Sequence, residues 1–138
     1  QVAAPQDDIL KLRASHPTLI LIQINAGKEA DFEAAWKAMV AALAKSTKDE
    51  QKAFGVSFSS LFKVDQPPID GKTALYVLQL DKPSTAISYN PFKVVYEQIW
   101  NADEKLSLVT RPEADGIFEK LKAAFQNINP PWKLVKVG

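Results

Sequence analysis

The first long apolar segment of this chain is hydrophobic on both faces of the strand that it predicts. Residues 18–24 read Thr-Leu-Ile-Leu-Ile-Gln-Ile, whereas a strand with one face in water alternates apolar and polar side chains. After a turn at Gly27, apolar side chains recur at the three- and four-residue steps of a helix. Glu33 and Lys37 form an exposed pair four residues apart on that helix, which is predicted over 28–46. Its apolar stripe consists of Phe32, Trp36, Met39, Val40 and Leu43.

Strand and helix patterns then alternate along the chain. Apolar and polar residues alternate over 56–64 and predict a second strand, and the doubly apolar stretch 73–80 predicts a third. A loop or hairpin at 66–71, rich in Pro and Gly, joins these two strands. Asn90-Pro91 is a typical helix start, because Asn caps well and Pro fits the first helical position.

Three further segments complete the pattern. A helix is predicted from Arg111-Pro112 to about residue 127, and the alternating tail 132–137 predicts a last strand. Near the other end, Asp7 or Asp8 caps a predicted short helix through Arg13, which ends at His16-Pro17. Residues 106–110 form either a strand or a helical turn, because periodicity cannot decide over so short a stretch.

This order of elements is typical of the ferredoxin-like fold in the α+β class. That fold is a four-stranded antiparallel sheet with helices on one face. We expect residues 1–17 to form a lead with a short helix and residues 18–138 to form one ferredoxin-like domain. Since the first and third strands are apolar on both faces, a homodimer that stacks two sheets into a dimeric α/β barrel is expected to cover the second face.

The composition of the chain limits the classes of partner that we expect it to bind. The 17 basic and 16 acidic side chains are interspersed, which argues against nucleic acid and anionic membranes as partners, because both need a one-sided basic surface. No apolar run reaches the length of about 18 residues that a membrane span requires. The loose polar lead from Gln1 to Asp8 predicts a processed periplasmic or secreted protein. The absence of Cys neither supports nor excludes export.

Residues 22–38, Ile-Gln-Ile-Asn-Ala-Gly-Lys-Glu-Ala-Asp-Phe-Glu-Ala-Ala-Trp-Lys-Ala, carry a resemblance to a known superfamily. They resemble the first strand and helix of the dimeric α/β barrels, in particular the branch similar to antibiotic biosynthesis monooxygenases. There the strand ends in a turn with Gly and charged residues, and Phe and Trp lie four apart on the helix. The resemblance implies cofactor-free oxidation of an electron-rich polycyclic phenol, with Asn25, Trp36 and Tyr76 of this sequence lining the cavity.

Each of these candidates also has a structural interpretation. Trp36 lies in the centre of an apolar stripe, where core packing is the more frequent role. Asn25 ends a strand before a turn, where a local hydrogen bond is expected, and the Tyr76 hydroxyl is expected to be buried with a partner. The full set of candidate ligand-binding residues is Asn25, Trp36, Phe58, Tyr76, Tyr89 and Trp100.

Metal and cofactor chemistry find little support in the sequence. His16 is the only imidazole and has no acidic partner nearby in sequence. Asp65, Asp70 and Asp81 sit in loops beside Pro, Gly or Lys-Pro, as turn residues do. We therefore expect no metal site and no cofactor.

Three classes of function stay open. The leading hypothesis is a protein that binds a small apolar or aromatic molecule between sheet and helices. The second is a cofactor-free monooxygenase-like enzyme, for which Asn25, Tyr76 and His16 are the candidate groups, and we expect these three not to converge. The third is a structural or interaction protein without a ligand, which a fully packed interior would favour.

Overall fold

The computed structural model describes residues 8–137 as one sheet with helices on one of its faces. The sheet contains five antiparallel strands, and four helices lie between them in sequence. The third helix begins in α geometry and continues as a π-helical segment, Val94–Ile99. The elements in chain order are β1 (Thr18–Asn25), α1 (Glu29–Ala44), α2 (Asp49–Phe58), β2 (Leu61–Lys63), β3 (Thr73–Leu80), α3 (Pro91–Lys93, with its π-helical continuation), α4 (Arg111–Ala124), β4 (Phe125–Ile128) and β5 (Trp132–Lys133).

Strand β1 lies at the centre of the sheet. It pairs along its whole length with β3, so that Thr18 lies opposite Leu80 and Asn25 opposite Thr73. Its other edge pairs with β4 and β5, and β2 pairs with the outer edge of β3. The predicted strands at 18–24 and 73–80 are therefore confirmed, and the strand order is β2-β3-β1-β4 with β5 beside β1.

The two faces of the sheet have different surroundings. Alternate residues of β1 and β3, among them Ile20 and Leu78, are buried beneath the helices. The opposite face carries the partly exposed Leu21 and Val77, which are cross-strand neighbours, and Val77 also lies opposite Phe62 of β2. Phe62 is 57% exposed. We call this second surface the open face; it joins apolar side chains of three strands into one row.

The predicted second strand over 56–64 is wrong in its first half. Residues Asp49–Phe58 form helix α2, and only Leu61–Lys63 pair with β3. In α2 the buried residues are Phe54, Gly55 and Phe58, which follow a helical step rather than an alternation. Phe58 fits both the alternating pattern of a strand and the helical pattern. Packing against α1 therefore decides in favour of the helix.

Helices α3 and α4 begin where the sequence predicts. The Asn90 side chain accepts a hydrogen bond from the Phe92 N–H at 3.0 Å. Thr110 and Glu113 form a capping box, in which each side chain accepts a hydrogen bond from the other residue's backbone N–H. The undecided residues 106–110 form a turn and an irregular stretch that leads into this cap, not a strand.

The C-terminal prediction needs three corrections. Helix α4 ends at Ala124 rather than near residue 127, because Phe125 adopts an extended conformation and pairs with Ile24 of β1. The final strand is also shorter than 132–137, and the sheet has five strands rather than four. Pro130 and Pro131 separate β4 from β5, since proline cannot donate to the strand ladder.

The predicted short helix before β1 is absent from the described part of the chain; Asp7 lies outside it. Asp8 accepts a hydrogen bond from Leu10 N–H, and Lys11 N–H bonds to the Asp8 carbonyl, but only turns follow. Long-range contacts hold the segment instead. Leu10 is buried and its carbonyl accepts a hydrogen bond from Tyr89 N–H, while the Asp8 carboxylate pairs with Lys93 at 3.1 Å.

Close packing of α2 on α1 gives a test of the fold. A Cβ atom at Gly55 would lie 2.8 Å from the Cβ of Leu43, so we expect Gly55→Ala to lower the free energy of unfolding by about 1–3 kcal/mol. Gly116 in α4 is the matched control, because a Cβ there meets nothing within 4 Å. Gly116→Ala is expected to raise stability by about 0.5–1 kcal/mol. Urea unfolding of both variants measures the difference, and equal effects would contradict the close contact.

Candidate functional site

A cleft opens between helix α1 and the β2–β3 edge of the sheet. Its volume is about 450 Å³. One wall is a stripe of α1 residues at helical spacing, and the other comes from the end of α2, from β2 and from β3. Because Lys63 lies opposite Tyr76 in the strand register, both side chains are on the helix-facing side of the sheet. We call this the α1 cleft; it is lined by Glu33, Trp36, Lys37, Val40, Ala41, Ser59, Leu61, Lys63 and Tyr76.

Trp36 belongs to both the core and the α1 cleft. Its ring stacks on Phe58 with the ring centres 4.1 Å apart, and its Nε1–H donates to the Phe58 carbonyl at 2.8 Å. Only 3% of the residue is exposed. The predicted core role of Trp36 is therefore confirmed, and the same ring lines the cleft.

Tyr76 and Glu33 form the polar pair of the cleft. The Tyr76 hydroxyl donates to Glu33 Oε2 at 2.5 Å, which confirms the expectation that a buried hydroxyl has a partner. Burial, followed by the hydrogen bond and the negative charge of Glu33, raises the pKa of Tyr76 far above its ordinary value. Tyr76 is therefore neutral at physiological pH and acts as a hydrogen-bond donor to Glu33.

Glu33 does not make the ion pair that its spacing predicts. The sequence places Lys37 four residues after Glu33 on α1, but no ion pair joins them among residues 8–137. The carboxylate instead bonds to Tyr76 across the cleft. Tertiary contact with the sheet thus replaces the local helix pair.

The other candidate residues lie away from this cleft. Phe58 and Tyr89 are fully buried in one aromatic cluster with Phe54. The Tyr89 hydroxyl lies 2.7 Å from Ser57 Oγ and accepts a hydrogen bond from Ser84 N–H. Tyr89 therefore belongs to the core and does not line the α1 cleft. Asn25 donates to the Ala123 carbonyl at 3.2 Å, linking the end of β1 to α4.

Trp100 lines a separate surface cleft of about 680 Å³ beside the start of α4. The Arg111 guanidinium lies 4.9 Å from the centre of its ring and also bonds to Asp115. Ser107 accepts from Asn101 N–H and donates to the Val109 carbonyl. These polar groups satisfy one another, so the arrangement is that of a stabilised loop.

The three polar candidates share no hydrogen bond and no cavity. His16 is exposed before β1, whereas Asn25 lies at the other end of that strand and Tyr76 faces Glu33. Within residues 8–137 no group of three or more His, Asp or Glu side chains has the proximity needed to hold a metal ion. No helix in that part of the chain has both the length and the hydropathy of a membrane span.

Sequence reasoning missed most of the cleft. It identified Trp36 and Tyr76, but not Glu33, Lys63 or Ser59. One signal was present: Glu33, Lys37 and residues 40, 41 and 44 form a second stripe beside the buried stripe of α1. The residues from β2 could not be found, because the strand itself was predicted with the wrong extent.

Comparison with known proteins identifies no relative of this chain. The chain matches no protein-family model, no curated protein sequence and no solved structure. Function must therefore be argued from the α1 cleft itself.

The raised pKa of Tyr76 predicts a pH-dependent stability. Unfolding returns its pKa to about 10, so above that pH the unfolded chain loses a proton that the folded chain keeps. Stability is thus fully present below about pH 10 and falls as the pH rises, by at most about 1.4 kcal/mol per pH unit for this group. Tyr76→Phe should show a shallower decline in urea unfolding between about pH 9 and 11. Equal slopes in the two proteins would contradict the predicted proton retention.

Proposed function

We propose that this protein binds a small apolar or aromatic molecule in the α1 cleft. The observation that carries the proposal is an open cavity with an apolar wall, formed by Trp36, Val40 and Leu61, and a few converging polar groups, which are the Tyr76–Glu33 pair, Ser59, Lys37 and Lys63. Sites for small molecules have this composition, and volumes of about 300–1,000 Å³ are typical of them. The cleft of about 450 Å³ lies in that range. An open cavity of this kind favours a ligand over a purely structural role.

A second candidate is a cofactor-free monooxygenase-like enzyme acting on aromatic substrates. The Tyr76–Glu33 pair favours it, because such chemistry needs a proton acceptor within hydrogen-bond reach of the substrate. Glu33 Oε1 has no hydrogen-bond partner among the described cleft residues, whereas Oε2 bonds to Tyr76. His16 and Asn25 do not line the cleft, so binding remains the leading proposal.

The strand order supports a ferredoxin-like topology, in which β1 and β3 occupy the centre. The order β2-β3-β1-β4 and the antiparallel pairing agree with that arrangement. We further propose a homodimer that covers the open face. The row Leu21, Val77 and Phe62, together with Trp132 beside Leu19, supplies apolar surface that a second copy would remove from water.

Ligand binding is tested with N-phenyl-1-naphthylamine, a neutral aromatic probe whose fluorescence rises in apolar surroundings. We expect binding by the wild-type protein and a loss of about tenfold in affinity in Ala41→Trp. Ala41 is exposed and lines the α1 cleft, so the indole fills the cleft without entering the core. Fluorescence titration gives both dissociation constants.

The matched control for this experiment is Ala34→Trp. Ala34 is also exposed on α1 but does not line the cleft. This variant should bind the probe as the wild-type protein does. Equal binding by Ala41→Trp and the wild type, or no binding by either, would overturn the proposed site.

Assembly is tested by light scattering. We expect a mass of about twice 15.3 kDa at micromolar concentration. Phe62→Glu should shift the protein to a monomer, because a charge in the middle of an apolar interface is costly to desolvate. Leu106→Glu is the control, since Leu106 is similarly exposed but lies outside the open face. A wild-type monomer would contradict the dimer.

A further inference from the structure

The α1 cleft adjoins a second cavity along the same helix. This cavity of about 320 Å³ shares Val40 and Ser59 with the α1 cleft. Ala44, at the end of α1, and Gly55 and Val56 of α2 complete its apolar lining. Together the two cavities form an elongated groove, which we call the α1–α2 groove.

The length of the groove is set by the helix beside it. Its α1 lining runs from Glu33 to Ala44, about 16 Å at the helical rise of ~1.5 Å per residue. Most of the surface between these ends is apolar, and Val56 at the far end is 73% exposed. A linear apolar chain laid along α1 would cover more of this surface than a compact ring would.

Charge differs between the two ends of the groove. At the first end, Lys37 and Lys63 lie in the same cavity as the Glu33 carboxylate, and Lys63 also interacts electrostatically with Glu29. At the second end, Lys52 is the one charged residue in the lining. Among residues 8–137 it has no carboxylate within ion-pair distance.

We propose that the ligand is a linear apolar monoanion of the fatty-carboxylate class, with its carboxylate beside Lys52 and its chain extending along α1 towards Trp36. This inference rests on the proposed ligand-binding function and adds the class and orientation of the ligand. The orientation follows from the charges. At the first end the two ammonium groups of Lys37 and Lys63 lie beside two carboxylates, Glu33 in the lining and Glu29, which interacts with Lys63. At the second end Lys52 is the one charged residue in the lining, so an anion there meets an ammonium group without a competing carboxylate. The apolar end of the chain then lies against the Trp36 wall.

The test is displacement of N-phenyl-1-naphthylamine by dodecanoate and by dodecanol, which share the same chain and differ in charge. Both are used below the concentrations at which they aggregate. Dodecanoate should displace the probe at a concentration about fivefold lower than dodecanol, the size expected for one exposed ion pair. The preference should disappear in Lys52→Gln and remain in Lys52→Arg.

Lys120→Gln is the control, because Lys120 is exposed on α4 and lies outside the groove. It should keep the preference for dodecanoate. If dodecanoate and dodecanol displace the probe equally, the anionic class is wrong while the neutral-probe site stands. A preference that survives in Lys52→Gln overturns the assigned orientation, and failure of both compounds to displace a bound probe overturns the linear ligand.

Discussion

The contact between Trp36 and Phe58 holds the end of α2 and the strand that follows it against α1. The stacked rings and the hydrogen bond from Trp36 Nε1 to the Phe58 carbonyl fix the end of α2 against the middle of α1. That carbonyl is close to the point where α2 ends, and the chain enters β2 within a few residues. The same contact therefore positions β2 beside α1 and sets the width of the cleft between them.

The two faces of the sheet differ in exposure because the described helices pack on only one of them. The helices bury alternate residues of β1 and β3, and the core includes Phe32, Tyr76 and Leu121. The other side of these strands carries Leu19, Leu21, Leu75 and Val77, with polar residues such as Gln23 and Gln79 between them, and no helix in the described chain covers it. The row Leu21, Val77 and Phe62 on this side is the surface that the proposed second copy would cover.

Where sequence reasoning succeeded, local pattern and tertiary structure agreed. Strands β1 and β3 were predicted from continuous apolar runs, and helix α1 was predicted from a helical period sustained over a long segment. Helix α2 was missed because residues 56–64 satisfy an alternating pattern, while the contact that decides the matter, Gly55 against Leu43, is not local in sequence. Pro130 and Pro131 separate β4 from β5, and the pairing of both strands depends on where β1 lies.

The candidate site was predicted only in part for the same reason. Trp36 and Tyr76 were predicted because each is an aromatic residue within an apolar pattern. Glu33 was interpreted as one member of a local ion pair with Lys37, and its actual partner comes from a strand 43 residues away along the chain. A single sequence gives no means of identifying such a partner before the register of β3 against β2 and β1 is known.

Helix α1 carries the core and the lining of the cleft on neighbouring stripes. Its buried stripe, with Phe32, Met39 and Leu43, packs on the sheet and on α2. The adjacent stripe, with Lys37, Val40 and Ala41, lines the cleft and tolerates change at low cost to the core, since these side chains are exposed or only partly buried. Trp36 serves both stripes, so a substitution there alters the fold and the cleft together. For the ligand that we propose, specificity is therefore expected to depend on the second stripe and on β2, where side chains can vary while the sheet and its helical layer stay intact.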